Sequence, residues 1–239
     1  AMGLTTSVDW GGYGFSEDWY EPFRVLHRKN ALTMRVYHGT WFNTSTAADV
    51  DKAVAEIRTL KAFQGDDWMD RIGFGETVLL PLHDNPSSHG AKISPEHLAL
   101  WRRVVEVVAA RRLHLSVHAN QRESLDAFLT QIEEINRVYP IRGLRWSFAH
   151  VRQLGAGDIE RMRKLGMAAL VHSQATISGQ ILQRIHGDAA MDQPPVRTVS
   201  MSRPRSSRQQ VSTPGAPAFA FATRSVQRPA ACTPGRVRG

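Results

Sequence analysis

Two histidines and a glutamate stand at the ends of three apolar, strand-like runs. Leu113–Ala119 reads LHLSVHA and carries His118, Leu144–His150 reads LRWSFAH and ends at His150, and Arg71–Pro81 reads RIGFGETVLLP and carries Glu76. In a barrel of parallel strands, residues at the C-terminal strand ends converge on one mouth, where such folds place their chemistry. One carboxylate and two imidazoles meeting there form a three-ligand set that suits a zinc ion with a fourth position open for water. Each residue also has a plainer reading: a histidine ending a strand is commonly a hydrogen-bonded loop or core residue. Glu76, beside Gly73 and Gly75, reads equally as a surface carboxylate. His38 and His172 end other short runs and are the candidates for lining the mouth and touching substrate. His83 and His89 lie in the loop after the Glu76 run, with substrate contact or solvent as the two alternatives.

Placing three such residues together requires alternating strands and helices. Leu4–Trp10, Leu32–His38, the three runs above and Met167–Val171 read as six strands. Helices fit between them. One starts at Ser16 and reaches about Lys29. A second runs from Thr46 to about Phe63, with Val50, Val54, Ile57 and Leu60 at the helical period and Asp49 and Asp51 favouring its N-terminus. A third opens at Ser94-Pro95-Glu96, with proline at the first helical position, and reaches Arg112. Glu123–Tyr139 and about Asp158–Leu165 supply two more. Regular alternation implies a parallel sheet with helices outside it. No glycine-rich phosphate loop follows any strand, so a (β/α) barrel fits better than an open doubly wound sheet. A full barrel needs eight strands and about 250 residues, two units more than this body supplies.

The charge is split by position. The chain has 239 residues and a formal charge of +8, yet residues 193–239 hold eight arginines, no lysine and no acid, so the first 192 residues are neutral. That leaves a body (1–192) long enough for one core and an Arg/Pro-rich, low-complexity tail (193–239) of disordered composition. Nucleic acid is therefore not the expected partner except through the tail's arginines. The single Cys232 allows no intrachain disulfide. No apolar run approaches the roughly 20 residues of a membrane span. A cytoplasmic, non-membrane protein is expected.

The segments GLTTSVDWGG, RIGFGE, His118-Ala119 and FAH (148–150) followed by GAGDIERMRKLGM together resemble the amidohydrolase superfamily. More narrowly, they resemble the amidohydrolase-3 branch that contains N-substituted formamide deformylase-like proteins. The resemblance implies an α/β fold, a (β/α)8 TIM barrel of the metal-dependent hydrolase type, here incomplete, with about strands two to seven and an irregular basic tail. It implies hydrolysis of C–N bonds in amides, formamides or cyclic amides by metal-activated water, a divalent metal, with zinc expected, and a small amide-type substrate. By position, Glu76 matches the fourth-strand ligand, His118 the fifth-strand histidine and His150 the sixth-strand one. The family's Gly-Asp after the fifth-strand histidine is replaced by HANQRES, its first-strand His-x-His is absent, and its eighth-strand aspartate, the general base, falls due in the acid-free tail. No catalytic residue is therefore assigned.

Two functions remain open on this reading: a metal-dependent amidohydrolase present as a truncated or frame-shifted copy, and a non-catalytic decayed barrel or basic-tailed nucleic-acid-binding protein. Open sheet edges would also invite self-association.

Overall fold

A computed structural model describes residues 3–11, 16–85, 90–171 and 175–192. Its six strands are β1 (Thr6–Asp9), β2 (Arg35–Thr40), β3 (Met69–Glu76), β4 (His114–His118), β5 (Ser147–Ala149) and β6 (Ala168–Leu170). All pair in parallel and in chain order, β1-β2-β3-β4-β5-β6. Sequential order is the order of a (β/α) barrel, whereas a doubly wound sheet reverses its order at a switch point. The helices α1 (Glu21–Arg28), α2 (Ala47–Thr59), α3 (Pro95–Ala110), α4 (Arg122–Val138) and α5 (Ala156–Leu165) connect successive strands, and α6 (Ala175–His186) follows β6. This is an α/β, TIM-like barrel arc. Among the described residues, no helix is long and apolar enough to cross a membrane. The Arg/Pro-rich segment 193–239 lies outside the described residues.

Helix α2 shows why these segments fold as they do. Val50, Ala53, Val54 and Ile57 recur at helical spacing and are its buried residues. Thr46 caps its start: the hydroxyl accepts the Asp49 N–H, and the Asp49 carboxylate accepts the Thr46 N–H. Replacing Thr46 with alanine removes this reciprocal cap and is expected to cost about 1 kcal/mol, read as a lowered urea midpoint at unchanged slope. Helix α3 starts on the Ser94 hydroxyl, which accepts the His97 N–H, with Pro95 following. Between α3 and α4, Trp101 stacks on Phe128 at 4.7 Å and 8°. These rings join Phe74, Leu115 and Phe148 from the strands in one core that runs from α2 to α5.

Several sequence expectations shift. The second strand covers Arg35–Thr40 rather than 32–38, so His38 lies inside it and not at its end. The apolar run after Glu76 leaves the sheet: Leu80–Leu82 forms a single 3-10 turn with Pro81 inside it, because proline cannot donate to a ladder. Val78, Leu79 and Leu82 bury against the core from that loop instead. Helix α2 stops at Thr59, short of Phe63, and α6 was not anticipated at all.

Candidate metal centre

β3 and β4 approach so closely that glycine is required between them. A Cβ on Gly73 would lie 2.2 Å from the His114 carbonyl oxygen, and one on Gly75 would lie 2.3 Å from that of Ser116. Gly75 also has φ +149°, which side-chain-bearing residues avoid. These two glycines explain the RIGFGE pattern: they let Glu76, the last residue of β3, sit directly beside β4. Glu76 pairs with Val117 and His118 with Ala149, so His150 is the first residue past its strand. All three therefore stand at the C-terminal edge of adjacent strands.

Their side chains meet there. The His150 Nε2–H donates to Glu76 at 2.9 Å (Oε2) and 3.1 Å (Oε1). His118 Nδ1 lies 3.6 Å from Glu76 Oε1. One ligand atom from each of Glu76, His118 and His150 lies within 4.8 Å of the others. The backbone of His150 is left-handed (φ +64°), an uncommon conformation for a side-chain-bearing residue and one that functional positions often hold.

Electrostatics bind the group tightly. Burial alone would raise the Glu76 carboxyl, but the His118 and His150 imidazoles beside it outweigh burial and bring the pKa down to about 2. Burial would lower His118, but the carboxylates of Asp84 and Glu76 win and raise it to about 9. His83 stacks on His118 at 3.7 Å. Burial, aided by the His118 charge, pushes His83 down to about 4, so it is neutral near pH 7.

The residues fit a metal by an observation independent of any resemblance. His118 Nδ1 is buried with no hydrogen-bond partner, yet it sits beside two other donors of metal-ligand type. Zinc bonds of about 2.0–2.1 Å in a tetrahedron separate ligand atoms by about 3.4 Å. The Glu76 oxygens lie 2.9 Å and 3.6 Å from the two imidazole nitrogens, close enough for an ion to replace the proton between them.

The other sequence candidates lie elsewhere. His38 is buried in β2, stacked on Tyr20 at 4.1 Å and paired with Arg71, five residues before Glu76. The structure does not bring it to the cluster. His172 and His89 lie outside the described residues. Asp84 escaped the sequence reading. Its side chain is 1% exposed, with Oδ1 3.0 Å from His118 Nε2, and it accepts the N–H groups of Asn120 and Gln121. The only local signal was an acid closing the apolar run LLPLHD.

Residues 1–203 match the model of the amidohydrolase family, Amidohydro_3. The chain belongs to that family. Two solved structures share the amidohydrolase fold seen here, both described as uncharacterised metal-dependent hydrolases. One, from Pyrococcus horikoshii OT3, is 20% identical, with a TM-score of 0.50 over 78% of this chain and 36% of its own. The other, from Pyrococcus furiosus, is 18% identical, with a TM-score of 0.54 over 82% of this chain and 40% of its own. The amidohydrolase chain thus spans two fifths or less of the length of either. No curated protein matches it.

Proposed function

We propose that the chain is a metal-dependent hydrolase of small amides, formamides or cyclic amides, with zinc held by Glu76, His118 and His150. The buried, unbonded His118 Nδ1 facing Glu76 carries this reading. Family membership and the description of both solved relatives as metal-dependent hydrolases support it. Zinc follows from the donor set of two imidazoles and one carboxylate, which suits a borderline-soft ion with an open position. Such an ion supplies Lewis acidity towards an amide carbonyl and an attacking water.

Glu76 gives a fixed negative charge that offsets the cation. Asp84 is enclosed and fully engaged, so it is no candidate for moving the water's proton. The uncharged His83 ring beside His118 covers one flank of the site.

Purified chain is expected to carry about one zinc, by mass-spectrometric metal analysis. It is expected to hydrolyse members of a formamide and cyclic-amide panel, losing that activity on chelation and regaining it with added zinc. Zinc without turnover of any member favours the non-catalytic reading. No metal under any loading condition ends the proposal.

A further inference from the structure

The geometry points to Asp84 as the positioning residue of this centre: it holds a proton of His118 on Nε2, so that Nδ1, towards Glu76, is the nitrogen that is bare in the neutral ring and free to take a metal. The inference rests on the metal-site reading above for its purpose, but its physical basis is separate.

Asp84 lies in the loop after β3, 34 residues from His118 in sequence. Its carboxylate is seated just before α4, where the Asn120 N–H reaches both oxygens at 3.0 Å and the Gln121 N–H reaches Oδ2 at 2.7 Å. Gln121 is the N-cap of that helix and offers no side-chain cap of its own. The carboxylate shares the capping with Gln153, whose Oε1 accepts the Arg122 N–H at 2.9 Å, and the helix dipole favours its negative charge. The Gln121 side chain closes the arrangement by donating to the Asn85 carbonyl at 2.8 Å. An anion held at this many points is a rigid hydrogen-bond acceptor.

His118 Nε2 faces two such acceptors, Asp84 Oδ1 at 3.0 Å and the Asp84 carbonyl at 2.9 Å. A bare Nε2 would set its lone pair against both oxygens. A protonated Nε2 donates to them. The Asn120 side-chain amide lies 2.8 Å from the same nitrogen; a half-turn of that amide presents its oxygen, which otherwise has no partner, as a third acceptor. The two Asp84 acceptors favour the Nε2–H form of the neutral ring, and the turned Asn120 amide would reinforce it. Nδ1, with no hydrogen-bond partner, is then the ligand atom. This is the carboxylate–histidine–metal relay by which an outer carboxylate sets the tautomer and basicity of a ligating imidazole.

The test compares full-length wild type, Asp84→Ala and Asp84→Asn. Zinc titration is expected to show about 10–100-fold weaker binding for Asp84→Ala, with Asp84→Asn between it and wild type. Because Asp84 also caps α4, a lower melting temperature alone proves nothing. The deciding readout is the 15N spectrum of His118 in metal-free chain, at a pH where the ring is neutral. Wild type should show the Nε2–H form alone, and both variants a mixture of the two forms. Asp84→Asn, which keeps an oxygen for the helix N–H groups, preserves the readout if Asp84→Ala does not fold. A folded variant that keeps the pure Nε2–H form, or binds zinc within twofold of wild type, overturns the inference. If wild type takes up no zinc, the metal-site reading fails, while the tautomer comparison still decides the role of Asp84.

Discussion

Replacing His150 with glycine is expected to destroy metal binding and leave the fold standing. A structural zinc site is worth about 10–16 kcal/mol over four ligands, so one ligand contributes roughly 3 kcal/mol or more, and every 1.4 kcal/mol is tenfold in affinity. Loss of His150 should therefore weaken zinc at least about 100-fold in a competition titration. Stability responds differently. The substitution removes the His150–Glu76 hydrogen bond, worth about 1–3 kcal/mol for a charged acceptor in a half-buried position. It also relieves the left-handed backbone at φ +64°, which glycine adopts freely and other residues hold at a cost of about 1–2 kcal/mol. The two terms nearly cancel, so the metal-free melting temperature should move by only a few degrees. His150→Ala separates them: it loses the same ligand but keeps the strained backbone, and it should melt below the glycine variant. If glycine at 150 retains tight zinc, His150 is not a ligand. If it melts far below alanine, the backbone strain is not real.

The sequence exposed the parts of this molecule that repeat and concealed those that occur once. Helix α2 was legible because Val50, Val54 and Ile57 recur along one face and Asp49 and Asp51 favour its N-terminus; the reciprocal Thr46–Asp49 cap is a contact the structure adds. Glu76, His118 and His150 were legible because each closes an apolar run and the family's order supplied their register. Asp84 was not, since its role is a contact across 34 residues with no periodicity to announce it. The run after Glu76 was misread because Val78, Leu79 and Leu82 are as apolar as a strand, yet reach the core from a loop. His38 was placed at a strand end because its run appeared to stop there, whereas Gly39 and Thr40 extend the pairing. Helix α6 went unnoticed because Thr176, Ile177 and Gly179 dilute the helical signal in ATISGQILQRIH.

Acidity should govern metal uptake more strongly than any single outer-residue substitution. His118 is surrounded by Glu76, Asp84, His83 and His150; the two carboxylates outweigh burial and raise its pKa to about 9 in the metal-free chain. Below that pH its ring carries both protons, and a metal must expel the one on Nδ1 to bind. Affinity is therefore expected to fall about tenfold for each pH unit below about 9, or roughly a thousandfold between pH 9 and pH 6, from this group alone. Glu76, held at about 2 by its two imidazoles, stays ionised throughout and adds nothing to the slope. Metal-free stability has the opposite sign. A pKa raised from the ordinary 6.5 gives stabilisation that is complete below about pH 6.5 and lost as pH rises through about 9. The Glu76 shift works at the other end: its contribution is complete above the ordinary 4.5 and lost as pH falls through about 2. Both shifts describe one cluster seen from its two charges, so they are not additive. The Glu76 and His118 contributions are both complete between about pH 4.5 and 6.5, but His83 and His114, pushed down to about 4 by burial, cost stability as pH falls below 6.5. The metal-free chain should thus be most stable near pH 6.5, where zinc binds weakly, and zinc should raise the melting temperature most near pH 9. Paired melting curves with and without zinc across pH 5–9 test this directly. A zinc shift that does not grow with pH would show that no imidazole proton is displaced, and the ligand set proposed here would fall with it.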